Sequence, residues 1–467
     1  EETDELSSNE AKANYFDTIV GIATPLGVGA IGIVRMSGPI SKDILHRLCP
    51  SLNTIKPRTA YHATITATKD SIELDDGCIL YFEGPKSYTG EDCVEFQCHS
   101  NPIILQQVVS ECLQNGARLA LPGEFTRRAF IHGKMDLVKA ETVIDIIHAK
   151  NKLSKNIALK RLNGKLYKKI TEMRSGLIKL VEQIEGSIDF PEEVPELNQD
   201  VLITLLKGTW KEIHRILKMQ DFGKTISEGV NVLIMGKPNV GKSSLLNRIV
   251  GENRAIVTSI PGTTRDYIEC SVSLGGGLFN FIDTAGIRAS QGDKIEDMGM
   301  RKIKRLVKKA NVILWIVDGG APLTKEDETI ATLIPKKKRG YLILNKSDKK
   351  RRANLSTLSS LTSFPHLSVS AKVNQGLTDL QDELIDFFLK PKSDVTLDFM
   401  CNIRQIQCLK DAENGLSLAL KSIKSGFEQD LISFELKTVV QKLGEVSGDD
   451  LTEEVLDGIF SRFCVGK

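Results

Sequence analysis

The sequence predicts a multidomain α/β and α chain in which a doubly wound α/β segment is inserted into a helical domain. Three observations carry that prediction. The 467 residues exceed what one core usually holds and point to about three domains. The apolar pattern changes period twice, from short strand-like runs to helical spacing and then to alternating strands and helices. Helical spacing returns after Pro391, so two helical stretches are expected to pack together around the insertion.

From Asp17 to about Pro122, Ile31–Arg35, Ile79–Phe82 and Cys93–Phe96 are strand-like runs bounded by Gly, Pro and Asp. A helix over Ile103–Asn115 follows, giving a small α+β domain over residues 15–122. Residues 123–226 read as helical, with Leu177, Val181, Ile184 and Ile188 at i, i+4, i+7 and i+11 on one face. Residues 227–391 alternate: Val232–Met235, Phe279–Ile282, Val312–Val317 and Tyr341–Leu344 are short apolar strands separated by helical stretches. Residues 392–467 are helical again, with Phe434, Leu436, Val439, Val440 and Leu443 as the core face.

Composition is that of an ordinary globular chain, 41% hydrophobic and 26% charged. A formal charge of +2 does not mark a nucleic-acid binder, so any RNA contact must come from local patches. Between Lys150 and Lys169 eight cations cluster, readable as a solvated helix face or as a tRNA-backbone patch. No apolar stretch approaches the roughly 20 residues that cross a bilayer, and no membrane association is expected. Residues Glu1–Asn14 resemble neither a secretory signal nor an Arg-rich transit peptide, although a chain without an initial Met fits processing. Nine cysteines without a CxxC pair fit a reducing compartment. A bacterial cytoplasm is expected, with the mitochondrial matrix as the alternative. Cys98-His99 lacks a second ligand cluster and reads as structural.

Gly236-Lys237-Pro238-Asn239-Val240-Gly241-Lys242-Ser243-Ser244 follows a strand and opens a helix. This is the G-x4-G-K-[ST] phosphate loop in its expected context. Its backbone N–H groups cradle phosphate oxygens at a helix N-terminus, Lys242 reaches the β/γ-phosphates and Ser243 can ligate Mg²⁺. Asp283-Thr284-Ala285-Gly286 ends one strand, with Asp283 near Mg²⁺ and the Gly286 N–H near the γ-phosphate. Asn345-Lys346-Ser347-Asp348 ends another, and its Asp348 carboxylate can accept two N–H bonds that guanine offers and adenine does not. Ser370-Ala371-Lys372 would close over the base. With Gly262-Thr263-Thr264 the set, in order, predicts a Ras-like P-loop α/β GTPase domain.

Many signalling GTPases orient the attacking water with a Gln just after D-x-x-G, where this chain has Ile287. Another group must position water and another positive charge must compensate the transition state. Asn239 can ligate a monovalent cation beside the β/γ-phosphates. Ile256-Val257-Thr258-Ser259-Ile260-Pro261-Gly262-Thr263-Thr264 can wrap it. Glu296 is a surface carboxylate or the water-orienting group. At the other end, Cys464 and Lys467 follow the aromatics Phe460 and Phe463, so the tail is expected to be anchored rather than frayed.

These residues together resemble the MnmE (TrmE) family of tRNA-modification GTPases. The resemblance runs from Asp17 to Lys467. Its marks are Asp17-Thr18-Ile19-Val20 through Gly32-Ile33-Val34-Arg35, Thr89-Gly90-Glu91-Asp92, Pro122-Gly123-Glu124-Phe125, the inserted GTPase domain and the terminal Cys-Val-Gly-Lys. The resemblance implies an N-terminal tetrahydrofolate-binding, dimerising domain. It also implies an FAD-containing partner of the MnmG (GidA) kind, forming a heterotetramer with the homodimer. The activity implied is K⁺-activated GTP hydrolysis coupled to C5 modification of the wobble uridine, position 34, of certain tRNAs. A one-carbon unit from 5,10-methylenetetrahydrofolate, for which 5-formyltetrahydrofolate is an analogue, joins an amine to give a carboxymethylaminomethyl-type group.

By the same resemblance Arg35, Glu95, Lys134 and Lys467 would contact folate, and Cys464 would face the modification site. Asn239, Thr258, Ile260 and Thr263 would ligate K⁺, and Ser243 and Thr264 would ligate Mg²⁺. Glu296, followed by Asp297-Met298-Gly299, matches the water-orienting Glu. The chain departs from the family where a basic residue and Gly-Gly give way to Gly27-Val28-Gly29-Ala30, and where His-Gly-Gly becomes His99-Ser100-Asn101. The competing reading is an RNA-binding GTPase switch in ribosome assembly. That reading gives no reason for the folate-like domain or the terminal Cys.

Overall fold

The computed structural model describes residues 17–252, 270–283, 301, 303–389 and 397–466. They divide into two compact units. One holds Glu1–Ile144, Gly164–Trp210 and Gln407–Lys467, and the other holds Asp145–Asn163 and Lys211–Ile406.

The first unit contains a sheet of β1 (Ile19–Ile22), β2 (Gly29–Ser37), β3 (Ala60–Thr66), β4 (Glu73–Phe82), β5 (Cys93–Ser100) and β6 (Arg118–Leu119), in the order β3-β4-β5-β2-β1-β6. All pairs are antiparallel except β1 with β6. Alternate residues of these strands face a core that includes Val34, Met36, Ile79 and Phe96 and is covered by α1 (Ser41–Leu48) and α2 (Pro102–Gln114). The opposite face carries Gly21, Arg35 and Glu95, which are partners in register. That alternation follows from the two-residue period of a strand.

Helix α3 (Glu124–Ile131) and α4 (Leu137–Ile147) follow the sheet, then α5 (Lys152–Arg161), α6 (Lys165–Asp189), α7 (Gln199–Lys218) and α8 (Gln220–Glu228). Leu177, Val181 and Ile184 of α6 are buried as their spacing predicts, whereas Ile188 is 36% exposed because it sits at the last turn. Late in the chain come α14 (Ile403–Lys424), α15 (Gln429–Ser447) and α16 (Glu453–Phe460). Glu185 of α6 accepts from Ser433 and pairs with Lys437 on α15. Leu436, Val439 and Leu443 are buried there, but Phe434 is 69% exposed. Two residues before Leu436 is about 200° around a helix, so Phe434 cannot share its face.

The second unit is built on β7 (Val230–Met235), β8 (Cys270–Leu274), β9 (Gly277–Asp283), β10 (Val312–Asp318), β11 (Gly340–Asn345) and β12 (His366–Ser368), in the order β12-β11-β10-β7-β9-β8. Only β8 runs antiparallel to its neighbour. Both faces are apolar: Val312, Leu314 and Ile316 join one core, Ile313, Trp315 and Val317 the other. This double burial gives the unbroken apolar runs of the sequence. Helices α9 (Lys242–Glu252), α10 (303–309), α11 (Lys325–Thr332), α12 (Leu355–Leu361) and α13 (Leu377–Leu389) belong to the same unit. Among the described residues no helix is long and apolar enough to cross a membrane.

Candidate functional site

The phosphate loop leaves β7 at Met235 and enters α9 at Lys242. Gly236 and Gly241 have φ of 156° and 95°. A Cβ at Gly236 would press on the Ile316 carbonyl, and one at Gly241 would strike the Asn345 amide, so only glycine lets the loop close this tightly. Lys242 is 7% exposed, and its Nζ donates to the carbonyls of Gly236 at 3.0 Å and Lys237 at 2.9 Å. The ammonium is thereby held inside the curl of the loop, where a phosphate oxygen would be its natural counter-ion. Ser243 and Ser244 are exposed on the first turn of α9, with N–H groups free of helical partners. Asp283, 5% exposed, ends β9.

The segment from Asn345 to Asp348 is tied to this loop. Asn345 Nδ2 donates to the Val240 carbonyl at 2.8 Å, and Asn345 Oδ1 accepts from the Ala371 N–H at 3.3 Å. Lys346, itself at φ 63°, donates to the Asn239 carbonyl at 2.9 Å and to Asp318 at 2.6 Å. Burial opposes ionisation of Asp318, but Lys346 outweighs it and holds the carboxyl below its usual range. Ser370 Oγ donates to Asp348 Oδ1 at 2.6 Å, which keeps that carboxyl ionised to lower pH. Arg248 Nε secures the Ala371 carbonyl at 3.1 Å and Nη2 reaches the Lys372 carbonyl at 3.4 Å. Asn239 is exposed at φ 60°. Asn239–Ser244, Asn345, Lys346, Asp348, Ser370, Ala371 and Lys372 thus lie together. Thr258–Thr264, Thr284, Ala285, Gly286 and Glu296 lie outside the described residues.

One contact of this loop is not signalled by the motif, which leaves its second position open. Lys237 Nζ pairs with Asp327 at 2.7 Å and Thr324 at 3.1 Å, at the N-terminus of α11. Asp327 is fully buried and also accepts from the Thr324 N–H and hydroxyl.

A second constellation lies on the sheet face opposite the core of the first unit. Arg35 and Glu95 pair at 2.8 Å, and the Arg35 guanidinium stands 5.8 Å from the Tyr88 ring and 5.9 Å from the Phe125 ring. Phe125 is fully buried, whereas the exposed Tyr88 ring and the partly exposed Arg35–Glu95 pair suit a flat polar heterocycle. Lys134 is not beside them in hydrogen bonding; its Nζ donates to the Pro85 carbonyl at 2.7 Å.

The C-terminal tail reaches this face. A Cβ built on Gly21, the register partner of Arg35, would meet the Gly466 backbone at 3.4 Å. Gly466, at φ 91°, has no room for a side chain of its own, which would enter the Ile22 carbonyl. Phe460 and Phe463 are buried with Leu137 and Leu456, and the Gly123 N–H donates to the Cys464 carbonyl at 3.4 Å. The Cys464 side chain remains exposed. Arg127, nearly buried on α3, holds α16 through Asp457 at 2.5 Å and through Glu453. Lys467 lies outside the described residues.

Comparison with known proteins agrees with this geometry. Residues 18–134 match the model described as GTP-binding protein TrmE N-terminus, and residues 137–464 match the MnmE helical domain. The chain belongs to the MnmE (TrmE) family. Proteins named tRNA modification GTPase MnmE from Thermotoga petrophila and Aquifex aeolicus are each 39% identical to it, over 97% of this chain and 100% of theirs. That of Geobacillus kaustophilus is 38% identical over 97% of this chain and 99% of its own. Among solved structures, the G domain of the T. maritima FeoB iron transporter matches 34% of this chain and 98% of its own at 23% identity, with a TM-score of only 0.26.

Several MnmE marks have physical roles. Glu124 is buried and receives Arg118 at 2.6 Å and Arg128 at 3.0 Å, while Asp17 receives both arginines at 2.5 Å. Burial works against both carboxyls, and the guanidinium groups outweigh it, so both are held below their usual range. Glu91 reaches the same Arg128 at 3.0 Å and accepts from Ser37 at 2.6 Å. Residues 27–30 and 99–101 meet each other. Ser100 Oγ donates to the Gly27 carbonyl at 2.9 Å, Ser100 faces Gly29 in register, and Asn101 caps α2. Burial pushes the Cys98 thiol up to about 12, and His99 pairs with Asp75, so neither acts as a nucleophile or free ligand. Of the Lys150–Lys169 cations, Arg161 is buried against Asp145 and Gln405 and serves the fold.

Proposed function

We propose that this chain is a GTP hydrolase acting in tRNA modification, in which a nucleotide-driven cycle serves chemistry at the C-terminal Cys464. The observation that carries the reading is the seating of Gly466 on Gly21, which puts the tail beside the Arg35–Glu95 pair. The proposed division is a tetrahydrofolate-binding and dimerising domain at 15–122, helical segments at 123–226 and 392–467, and a GTPase domain at 227–391.

In the nucleotide site, Lys242 neutralises β/γ-phosphate oxygens and the N–H groups from Asn239 to Ser244 orient them. Asp348 selects guanine by accepting its two N–H donors. Ser243 and Thr264 would hold Mg²⁺, which supplies charge neutralisation when bound. Asn239, Thr258, Ile260 and Thr263 would hold K⁺; among the described residues the Asn239 side chain makes no hydrogen bond, which leaves its amide oxygen for a ligand. Glu296 would orient the attacking water. In the other unit, Arg35 and Glu95 offer donors and an acceptor to a pterin, and Lys134 and Lys467 offer cations to glutamyl carboxylates.

With a flavoprotein of the MnmG kind and a folate one-carbon donor, the homodimer would modify C5 of the wobble uridine in the bacterial cytoplasm or the mitochondrial matrix. The test is reconstitution with that partner, GTP, methylenetetrahydrofolate and tRNA. Cys464→Ser is expected to abolish modification and leave GTP hydrolysis intact. Loss of both would make Cys464 a structural residue, and modification by the variant would remove it from the chemistry. Hydrolysis rates in KCl and NaCl at equal ionic strength test the cation site, and equal rates would refute it.

A further inference from the structure

The second unit carries a concentration of positive charge that none of the site chemistry uses. Helix α10 turns Ile303, Leu306 and Val307, followed by Ala310, into the core beside Trp315 and Ile313. Its other stripe is basic: Arg301 just before it, then Lys304, Arg305, Lys308 and Lys309, are all exposed. Residues 336–339 are Lys-Lys-Lys-Arg, and Lys336, Lys337 and Arg339 are exposed. The two runs are joined, since Lys338 Nζ donates to the Lys308 carbonyl at 3.1 Å and the Arg339 carbonyl accepts from the Ile313 N–H at 3.0 Å.

Nine cations therefore share one edge of a chain whose formal charge is only +2. Among the described residues, Arg301, Lys304, Arg305, Lys308, Lys309, Lys336 and Lys337 make no ion pair. The acids of α11, Glu326, Asp327 and Glu328, lie in its first turn. Glu326 and Glu328 are six and four residues before the end of α11 at Thr332, about 9 and 6 Å of helical rise, and Asp327 is already buried against Lys237. The patch lies at the N-terminal ends of β10 and β11, whereas Asn345 and the phosphate loop lie at C-terminal ends of the sheet. A seven-residue strand separates the two by about 20 Å.

We propose that this edge, formed by α10 and residues 336–339, is a docking surface for the phosphate backbone of tRNA. The inference rests on the tRNA-modification reading above. A basic helix stripe with an adjoining basic loop offers several cations to successive phosphates, and release of counter-ions from RNA supplies the affinity. Distance from the nucleotide loop allows RNA and GTP to be held together without competition.

The test measures fluorescence-anisotropy binding of a labelled tRNA transcript to the full chain across a KCl series. It compares wild type with K304Q/K308Q/K309Q/K336Q/K337Q and with the same five positions changed to Arg. The Gln variant is expected to bind at least about tenfold more weakly at 0.1 M salt, with a log K against log salt slope shallower by about 3. The Arg variant should retain both. GTP affinity and basal hydrolysis should match wild type in all three proteins, which controls for folding. Unchanged tRNA affinity in the Gln variant overturns the patch and leaves the tRNA-modification reading standing. Failure of wild type to bind tRNA overturns both. If the Gln variant loses binding only to phosphatidylserine vesicles, the surface is a lipid contact and the proposal falls.

Discussion

The side-chain amide of Asn345 donates to the Val240 carbonyl at 2.8 Å, so the segment proposed to read the base is fastened to the glycine-rich loop proposed to cradle phosphate. Because Lys346 makes a parallel tie to Asn239 at 2.9 Å, base recognition and phosphate grip are one rigid assembly. The guanine selectivity proposed for this assembly rests on the carboxylate of Asp348. Asp348→Asn replaces an acceptor with a donor and is expected to cut GTP-over-ATP preference about tenfold to a hundredfold, the value of one or two charge-assisted hydrogen bonds. Competition of both nucleotides against a fluorescent guanine nucleotide measures this, and an unaltered preference would remove Asp348 from base reading.

Lys237 tests the contact that the motif leaves undefined. Lys237→Met leaves Asp327 buried with only the Thr324 groups, and the uncompensated charge is expected to cost about 3–5 kcal/mol. The expected readout is a lower unfolding midpoint for the nucleotide-binding unit together with weaker GTP affinity. The double variant Lys237→Met, Asp327→Leu should recover much of the stability, because both charges are then gone. If Lys237→Met melts like wild type, the pair is not supporting the loop.

Gly466 is the most sensitive point of the tail. At φ 91°, with the Ile22 carbonyl where a Cβ would lie, even alanine must displace the backbone. Gly466→Ala is expected to slow tRNA modification by about tenfold or more, roughly 1.4 kcal/mol of barrier, with GTP hydrolysis unchanged. Single-turnover modification assays beside steady-state GTPase rates separate the two. Equal modification rates would show that the seating on β1 is dispensable.

The arginine–carboxylate network gives the first unit an acid-sensitive core. Asp17 and Glu124 have folded-state pKa values held below their unfolded values. Their stabilisation is therefore complete above the ordinary carboxylate pKa of about 4 and is lost as pH falls through the depressed values. Unfolding midpoints of the wild-type chain should drop on that acid limb. Glu124→Gln should lower the midpoint at pH 7 and flatten the limb, since one titrating partner is removed. A parallel acid limb in the variant would place the sensitivity elsewhere.

Much of this was legible in the sequence, for definable reasons. The nucleotide site was readable because its residues are contiguous within short motifs at strand ends, and glycines at Gly236 and Gly241 are required by geometry alone. Strands β7, β10 and β11 were readable because both faces are buried, leaving continuous apolar runs. The core face of α6 was readable as far as Ile184; periodicity failed at Ile188, which is on the stripe but in the last turn, and at Phe434, which lies off its stripe. The charge network was hidden because its partners are remote: Asp17 meets Arg118, and Arg127 meets Asp457, across 101 and 330 positions. Nor does spacing reveal that Lys338 joins the 336–339 run to α10. Such pairings are properties of the folded chain, and only the recurrence of Pro-Gly-Glu-Phe as a family mark hinted that Gly123 and Glu124 had fixed work.

The bond between Ser100 and the Gly27 carbonyl makes two segments far apart in the chain act as one piece of surface. Ser100 both grips the 27–30 loop and stands opposite Gly29 in register. Glycine at position 100 would release the loop, whereas a methyl group at Gly29 would meet Ser100 at 3.6 Å, an ordinary contact. The hydroxyl, rather than the space opposite it, is therefore what sets the position of the loop.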